Sequence, residues 1–322
     1  MSDGLVILAP NWLGDAVMAL PAIADVRRGW PGRITVAARP AIAPLFALVD
    51  AVDAYTACGS RVPRGFDAAL LLPNAFRAAL DVWRAGVPER WGYRADGRGM
   101  LLTRSVPRPR SVHQVDYYQR LVAQLGFPNG SREPRVAVPD AARAEGGALL
   151  RESGWDGRSP LVALAPGAAY GGAKRWPPEY FAELASDLAR DGVDTVLIGS
   201  AADRSTTREV RAAFDLVGKT DLPTLAGVLV HCRTLVTNDS GAMHLAAAAG
   251  VPVTAVFGPT RDRETRPPGD RHAVLTHDVW CRPCMLRECP LDHRCMRAIA
   301  PSTVAASAGR TLISEPGTGH RP

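Results

Sequence analysis

The chain has 322 residues, of which 47% are hydrophobic and 22% are charged, a composition typical of a globular protein rather than a disordered one. The length is sufficient for two domains, and no apolar run approaches the roughly 18 residues that a membrane-spanning helix requires. The first residues, MSDGLVILAP, lack the basic segment of a secretory signal, so we expect a cytoplasmic protein.

The formal net charge of +6 suits anionic partners such as phosphates or an acidic membrane face. Aromatic residues make up only 6% of the chain and do not alternate with a basic stripe, so nucleic acid is not an expected partner. A local cluster of Arg104, Arg108 and Arg110 is a candidate contact with anionic lipid. The alternative is that the arginine excess is simply a solvated surface.

Short apolar strands alternate with amphipathic helical patterns in the first half, which predicts a parallel sheet with helices on both faces. Strands are predicted in GLVILAP, RITVAAR and FDAALLLPN, and helices over about 15–28 and in AFRAALDVWRAG and QVDYYQRLVAQLGF. We expect residues 1–150 to form one α/β domain. The pattern weakens between Pro128 and Pro160, where we place the connection to a second domain.

Asp15 comes directly after the first predicted strand and a bend. In open α/β sheets, ligands bind at the carboxyl ends of the strands, so a carboxylate at this position is a candidate functional group. Aspartate is also a favoured N-cap residue, and a purely structural capping role is the alternative.

A second α/β series occupies residues 151–322 and begins with the strand PLVALAPG. A glycine-rich loop follows, with Gly167, Gly171 and Gly172 before Lys174 and Arg175. Glycines allow the backbone to approach an anion and the cations neutralise it. The loop matches neither GxxxxGK[ST] nor GxGxxG, and a flexible loop with solvated cations is the alternative.

The stretch VTNDSGAMHLAAAAG predicts a strand, a tight loop and a helix. Asp239, Ser240 and Gly241 lie at the start of that helix, where unpaired N–H groups and the helix dipole favour a diphosphate. His244 is one turn further along the helix and could reach the same ligand. Alternatively, Asp239 and Ser240 only cap the helix and His244 is a packed core residue.

Both signals in the second half follow predicted strands, so they converge on one predicted nucleotide-diphosphate site. With Asp15 facing them from the first half, the arrangement suits transfer of a group from a nucleotide-activated donor. A non-catalytic nucleotide-sugar-binding protein is the alternative from another class, and it would have no need of the Asp15 carboxylate. A dehydrogenase is disfavoured because the first strand is not followed by GxGxxG.

Four of the six cysteines lie close together in the spacing C-x2-C-x4-C-x5-C. Four thiols at Cys281, Cys284, Cys289 and Cys295 could hold a structural zinc ion. The spacing is not a paired CxxC…CxxC, and His293 adds a fifth candidate ligand, so reduced packed cysteines are the favoured interpretation. A disulfide framework is not expected in the cytoplasm.

Four motifs together carry a family resemblance: GDAVMALPAI, PGAAYGGAKRWP, NDSGAMHLAAAAGVPVTAVFGPT and CRPCMLRECPLDHRCM. In this order they resemble the ADP-heptose:lipopolysaccharide heptosyltransferases, glycosyltransferase family 9, and most closely the branch that adds the second heptose. The resemblance implies the GT-B fold, an α/β architecture of two Rossmann-like domains with parallel sheets across a deep cleft. Residues 1–150 would bind the acceptor and residues 151–322 the ADP-sugar. The C-terminal segment could return to the first domain.

The implied reaction is an inverting transfer of L-glycero-D-manno-heptose from ADP-heptose to heptosyl-Kdo-lipid A, without a cofactor. The enzyme would act peripherally at the cytoplasmic face of the inner membrane. Transfer of the first heptose, or another family 9 reaction, is the alternative.

The resemblance also implies the site residues. Asp15 would be the catalytic base and Lys174 would contact the donor phosphates. Further candidate donor contacts are Gly167, Arg175, Asp239, Ser240, Gly241 and His244, and candidate acceptor contacts are Asn11, Gly14, Asn74, Arg77 and His113. For His113, a supporting role in the protein is equally compatible with the pattern.

Overall fold

Two α/β units make up the chain, Met1–Ala137 and Val138–Pro322. The structure is a computed structural model that describes residues 4–58 and 62–313, with side chains to residue 310. Each unit is described by itself below.

The first unit is built on a parallel sheet of six strands in the order β3-β2-β1-β4-β5-β6. The strands β1 and β4 are apolar and buried along their length, and β2 is buried except at its first residue, as expected for a sheet covered on both faces. The strands are β1 (Gly4–Leu8), β2 (Arg33–Ala38), β3 (Ala54–Ala57), β4 (Ala68–Leu71), β5 (Glu89–Arg94) and β6 (Arg104–Pro107).

The helices of this unit are α1 (Leu13–Met18), α2 (Leu20–Gly29), α3 (Phe76–Arg84) and α4 (Gln114–Gln124). The single helix predicted over about 15–28 is therefore wrong in one respect, because it is divided at Ala19 into α1 and α2. Pro21 explains the division, since it has no N–H to continue the hydrogen-bond ladder and lies at the start of α2.

The second unit contains another parallel six-stranded sheet, in the order β12-β11-β10-β7-β8-β9. Its strands are β7 (Leu161–Ala165), β8 (Asp194–Leu197), β9 (Phe214–Asp215), β10 (Thr234–Asn238), β11 (Val253–Phe257) and β12 (Ala273–Thr276). The strands β7, β10 and β11 are buried at every position.

The helices of the second unit are α5 (Asp140–Glu152), α6 (Pro178–Arg190), α7 (Arg204–Thr207), α8 (Leu222–Leu229), α9 (Gly241–Ala248), α10 (Asp262–Thr265), α11 (Arg294–Arg297) and α12 (Pro301–Ile313). A boundary at residue 150 assigns most of α5 to the first domain, whereas the structure assigns α5 to the second unit. The reason is that α5 packs closely on α8: a Cβ on Gly146 would lie 2.3 Å from the Gly227 carbonyl carbon.

The core of the second unit includes Trp176 and Phe181 together with residues of α12. The α12 helix packs on α6, β10 and β11 of the second unit. No helix among the described residues combines the length and apolar character needed to cross a bilayer.

In both sheets the chain reverses the direction in which strands are added. In the first unit β2 lies on one side of β1 and β4 lies on the other; in the second unit β8 and β10 flank β7 in the same way. Ligands of open α/β sheets bind outside the carboxyl ends of the strands at this reversal. The loops after β1, β4, β7 and β10 are therefore the places where functional side chains are expected.

Candidate functional site

In the second unit, the loops after β7 and β10 are joined by an ion pair. Lys174 Nζ lies 2.5 Å from Asp239 Oδ2, and the two side chains are only 13% and 6% exposed. Thr260, which follows the neighbouring strand β11, donates from Oγ1 to the same carboxylate oxygen over 2.6 Å. The structure thus brings the two predicted donor-site signals together. Thr260 was missed, although its place after a strand next to β10 is a signal that could have found it.

The start of α9 is not capped by the predicted side chains. Ser240 occupies the N-cap position without a side-chain capping bond, and its Oγ lies 3.0 Å from Thr237 Oγ1. Asp239 is engaged by Lys174 and Thr260. The alternative interpretation of Asp239 and Ser240 as simple helix caps is therefore wrong. Gly241 is the first residue of α9, and His244 is buried one turn into it.

Asn238, at the end of β10, fixes the loop after β7 in place. Its Oδ1 accepts a hydrogen bond from the Trp176 backbone over 2.9 Å, and its Nδ2 donates to the Pro166 carbonyl over 2.7 Å. The side chain is completely buried. Trp176 is buried as well and donates from Nε1 to the Ile299 carbonyl, so it is a packing anchor of the second unit. Sequence reasoning included Asn238 in a motif without assigning it this role.

The glycines of the loop after β7 leave room for other groups of the same unit. A Cβ on Gly167 would lie 2.3 Å from Asp203 Oδ1, and one on Gly172 would lie 2.5 Å from Glu288 Oε2. Gly171 adopts a φ of +154° with the Arg287 carbonyl oxygen 2.3 Å from its Cβ position. The close approach of other groups that was expected at these glycines therefore exists. At all three positions, however, the approaching atom is an oxygen of the protein itself.

Arg175 is the cation of this site that has no ionic partner. It is half-buried, it forms no ion pair with any described residue, and its Nε is buried without a hydrogen-bond acceptor. Burying an unpaired guanidinium group costs free energy that a bound anion would offset. Lys174 also lies over the Tyr170 ring, with Nζ 4.7 Å from the ring centroid.

Residues 278–293, which we call the cysteine segment, hold the loop after β7 by three hydrogen bonds. Tyr170 Oη donates to the Met285 carbonyl over 2.8 Å and the Ala173 N–H donates to the Arg287 carbonyl over 2.9 Å. The Gly172 N–H donates to Glu288 Oε1 over 3.0 Å. The segment that carries most of the clustered cysteines is thus part of the support of the candidate donor site.

All six cysteines are free. Burial raises the pKa of the Cys295 thiol, and the neighbouring Cys281, Cys289 and Cys284 raise it further. Within the described residues, no group of three or more His, Cys, Asp or Glu side chains is arranged to hold a metal ion. The zinc alternative for these cysteines therefore gains no support from the side-chain arrangement.

In the first unit, Asp15 is the third residue of α1, whose N-cap is Trp12. The interpretation of Asp15 as the N-cap is therefore wrong, and its carboxylate lies in the first turn of α1. Asp15 is half-buried near Tyr118 of α4: burial raises the pKa of the Tyr118 hydroxyl, and the Asp15 carboxylate raises it further. Asn11 is exposed just before α1 and Gly14 is half-buried within it.

Asn74 follows β4, the strand next to β1 at the reversal of the first sheet. Its Nδ2 donates to Tyr117 Oη on α4 over 2.7 Å, while its Oδ1 is buried and has no partner. The backbone just before it is held by the completely buried Arg98, which binds the Pro73 carbonyl and donates from Nε to the Tyr93 carbonyl over 2.9 Å. Burial lowers the pKa of Arg98 to about 10.

His113 is the N-cap of α4, where its Nδ1 accepts a hydrogen bond from the Val115 N–H over 3.2 Å. The α4 helix thereby connects three candidates, since it bears His113 at its start, Tyr117 bonded to Asn74, and Tyr118 near Asp15. Arg77 is separate from them: it is exposed and forms an ion pair with Asp81 on its own helix.

The arginines proposed as a lipid contact are largely engaged within the first unit. Arg104 lies over the Trp91 ring, 5.4 Å from its centroid, and donates to the Leu125 carbonyl over 2.6 Å. Arg108 lies over the Tyr117 ring at 5.9 Å. These two side chains thus have partners within their own unit.

The chain is similar to proteins of known activity along most of its length. The family model described as glycosyltransferase family 9 (heptosyltransferase) matches residues 57–294. Lipopolysaccharide heptosyltransferase 2 of Salmonella typhimurium is 30% identical over 306 residues, covering 84% of this chain and 87% of that protein. Lipooligosaccharide heptosyltransferase 2 of Haemophilus influenzae is 30% identical over 309 residues, covering 84% and 88%.

The solved structure of E. coli ADP-heptose LPS heptosyltransferase II has a TM-score of 0.82 to this chain at 26% sequence identity. The match covers 97% of this chain and 99% of that one. The predicted fold class, an α/β protein of the GT-B type with two Rossmann-like parallel sheets, is confirmed.

Proposed function

The chain belongs to glycosyltransferase family 9, and on that premise we propose that it transfers heptose during lipopolysaccharide core biosynthesis. The proposed donor is ADP-L-glycero-D-manno-heptose and the proposed acceptor is heptosyl-Kdo-lipid A. The observation that carries this proposal is 30% identity to two proteins named heptosyltransferase 2, each covered over more than four fifths of its length.

The donor diphosphate binds at the carboxyl ends of β7 and β10. Arg175, which has no ion pair within the described structure, supplies the positive charge that a diphosphate needs, and Lys174 supplies more beside it. The N–H groups at the start of α9, from Gly241 onward, face the same end of the sheet and favour an anion. Gly167, Asp239, Ser240 and His244 complete the proposed donor site.

Asp15 acts as the general base of an inverting displacement. It accepts the proton of the acceptor hydroxyl while that oxygen forms a bond to the anomeric carbon of the donor heptose. The bond from the anomeric carbon to the phosphate oxygen breaks, and ADP leaves with the electron pair. Lys174 and Arg175 stabilise the negative charge that develops on ADP. No covalent enzyme intermediate, metal or cofactor is required.

The acceptor binds in the first unit, with Asn11, Gly14, Asn74, Arg77 and His113 as its proposed surroundings. The buried Oδ1 of Asn74 has no hydrogen-bond partner, so it is the atom best suited to accept a hydrogen bond from a hydroxyl group of the acceptor substrate. Because this acceptor is a glycolipid, we propose that the protein works on the cytoplasmic face of the inner membrane as a peripheral protein. Nucleic acid is not part of the proposal.

The test is ADP release from ADP-heptose with heptosyl-Kdo-lipid A and, in parallel, with Kdo-lipid A. We expect turnover on the heptosylated acceptor alone, and a loss of about 10²–10⁴-fold in Asp15→Asn. Circular dichroism of Asp15→Asn should match wild type, because Asp15 is not a helix cap. Turnover only on Kdo-lipid A would assign the first-heptose reaction, and turnover on neither acceptor would refute the proposal.

A further inference from the structure

The outer face of α3 is an exposed apolar stripe. Phe76, Leu80 and Trp83 are spaced i, i+4 and i+7, which places them on one side of the helix. Phe76 is 41% exposed, Trp83 is 53% exposed and Leu80 is half-buried, whereas Ala79 and Val82 are buried in the core of the unit. At about 100° of rotation per residue, the stripe borders Ala79 and Val82. The helix therefore has one apolar arc, which begins in the core and continues out to solvent.

Positive charge lies beside this stripe. Arg77 and Arg84 each follow a stripe aromatic by one residue, and both are exposed. The one acidic residue of α3, Asp81, is paired with Arg77, with Nε and Oδ1 2.7 Å apart. Arg84 forms no ion pair with any described residue, so the exposed face carries a net positive charge.

A further large apolar side chain lies on the element that packs against α3. Met100, in the short 3-10 helix Arg98–Leu101, is 85% exposed, and that helix contacts α3. Single exposed apolar residues are common, but an aromatic stripe flanked by arginines is typical of helices that lie in a membrane interface.

We infer that the outer face of α3, together with Met100, docks on an anionic phospholipid bilayer. This inference rests on the proposed function, because a lipid-linked acceptor requires the protein to work at a membrane. The α3 helix begins directly after Ala75 and Asn74, so the docking helix is continuous with the proposed acceptor site. The apolar side chains enter the interface while Arg84, which forms no ion pair with any described residue, meets lipid phosphates.

A second copy of the chain fits this face less well than an anionic bilayer does. A two-fold contact through α3 brings the same positively charged surface from both copies together. Like charges at an interface are costly, and the net charge of +6 adds repulsion between copies. Anionic headgroups remove this repulsion.

The first test is flotation of the full chain with vesicles of phosphatidylcholine alone or with 30% phosphatidylglycerol. Wild type should float with the anionic vesicles only. Trp83→Ser/Met100→Ser should reduce the partition coefficient about 10-fold, and Arg84→Glu by a similar factor on anionic vesicles. The matched control is Trp280→Ser, which removes a tryptophan 78% exposed in the second unit and should float like wild type.

Activity assays with two forms of the acceptor test the docking surface independently of the proposed function. With a deacylated, water-soluble acceptor, the Trp83→Ser/Met100→Ser variant should turn over at the wild-type rate, and with acceptor in vesicles its KM should rise. Wild type that floats but has no turnover on any acceptor would refute the proposed function and leave the docking surface standing. A double variant that floats like wild type, or that converts a wild-type dimer to a monomer in sedimentation, would overturn the docking surface.

Discussion

At the scale of single residues, Lys174 and Arg175 are adjacent cations with different electrostatic partners. Lys174 neutralises the buried Asp239, whereas Arg175 has no ion pair among the described residues. We therefore expect Arg175→Met to weaken ADP binding about 10-fold and to leave the free energy of unfolding within about 0.5 kcal/mol of wild type. Isothermal titration with ADP and urea denaturation measure the two quantities.

Lys174→Met is the informative comparison, because it leaves the Asp239 carboxylate buried without its cation. We expect about 3–5 kcal/mol of destabilisation in addition to weaker ADP binding. The double variant Lys174→Met/Asp239→Asn removes the uncompensated charge, so it should recover most of the stability without recovering the affinity. Recovery of ADP binding in the double variant would contradict a direct role of Lys174 with phosphate.

Cys232 gives a prediction about pH that is independent of catalysis. Burial raises the pKa of its thiol from 9.0 to about 12. Above pH 9 the unfolded chain therefore releases a proton that the folded chain keeps, and the stability contributed by this residue is lost as pH rises from 9 towards 12. Relative to Cys232→Ala, wild type should lose about 1.4 kcal/mol between pH 7 and pH 10 in urea denaturation. An unchanged difference between the two proteins would contradict this assignment.

At the scale of elements, the cysteine segment supports the loop after β7 through backbone carbonyls and through the Glu288 side chain, whose hydrogen bond a substitution can remove. Its carboxylate accepts the Gly172 N–H bond next to Lys174. Glu288→Ala should raise the KM for ADP-heptose about 5–10-fold with a smaller effect on kcat, because the Gly172 N–H loses an exposed hydrogen bond worth about 1 kcal/mol.

Two variants control this experiment. Glu288→Gln keeps an acceptor for the Gly172 N–H and should restore most of the affinity. Glu183→Ala removes an exposed carboxylate from α6 and should behave like wild type. If Glu288→Gln is as impaired as Glu288→Ala, the charge of Glu288 and not its hydrogen bond supports the loop.

The elements that the sequence predicts well are those with buried, regular patterns. The strands β1, β4, β7, β10 and β11 are buried at every position and mostly apolar, because both faces of each sheet are covered. The strand β6 is at the edge of the first sheet and β5 lies next to it, and their sequences RSVP and ERWGYR contain too many polar residues to show a strand period. They were therefore absent from the prediction.

The candidate site was predictable to the extent that it depends on strand ends. Asp239 directly follows β10, whereas Lys174 lies in the glycine-rich loop after β7 and Asp15 in the helix after β1. Their place after a strand marks them together with the family motifs that contain them. Glu288 could not be found in this way, because it lies 116 residues from Gly172 in a segment without regular structure. Contacts of that kind depend on tertiary packing and leave no local pattern.

At the scale of the whole molecule, the two units share one strand order but carry different chemistry at the reversal of their sheets. The loops of the first unit carry carboxylate and amide groups, Asp15 and Asn74, which suit hydroxyl recognition and proton transfer. The loops of the second unit carry cations and the start of a helix, Lys174, Arg175 and α9, which suit a diphosphate. Because the two units have the same topology, the difference in their chemistry comes from the residues that follow the strands.

This division predicts that binding and chemistry can be separated by mutation. Asp15→Asn should bind ADP with the wild-type dissociation constant and show the same rise in melting temperature at saturating ADP, because ligand stabilisation depends only on affinity and concentration. Arg175→Met should lose much of that thermal shift while retaining measurable turnover at high ADP-heptose. If Asp15→Asn weakened ADP binding as strongly as Arg175→Met, Asp15 would have to be reassigned from base to donor contact.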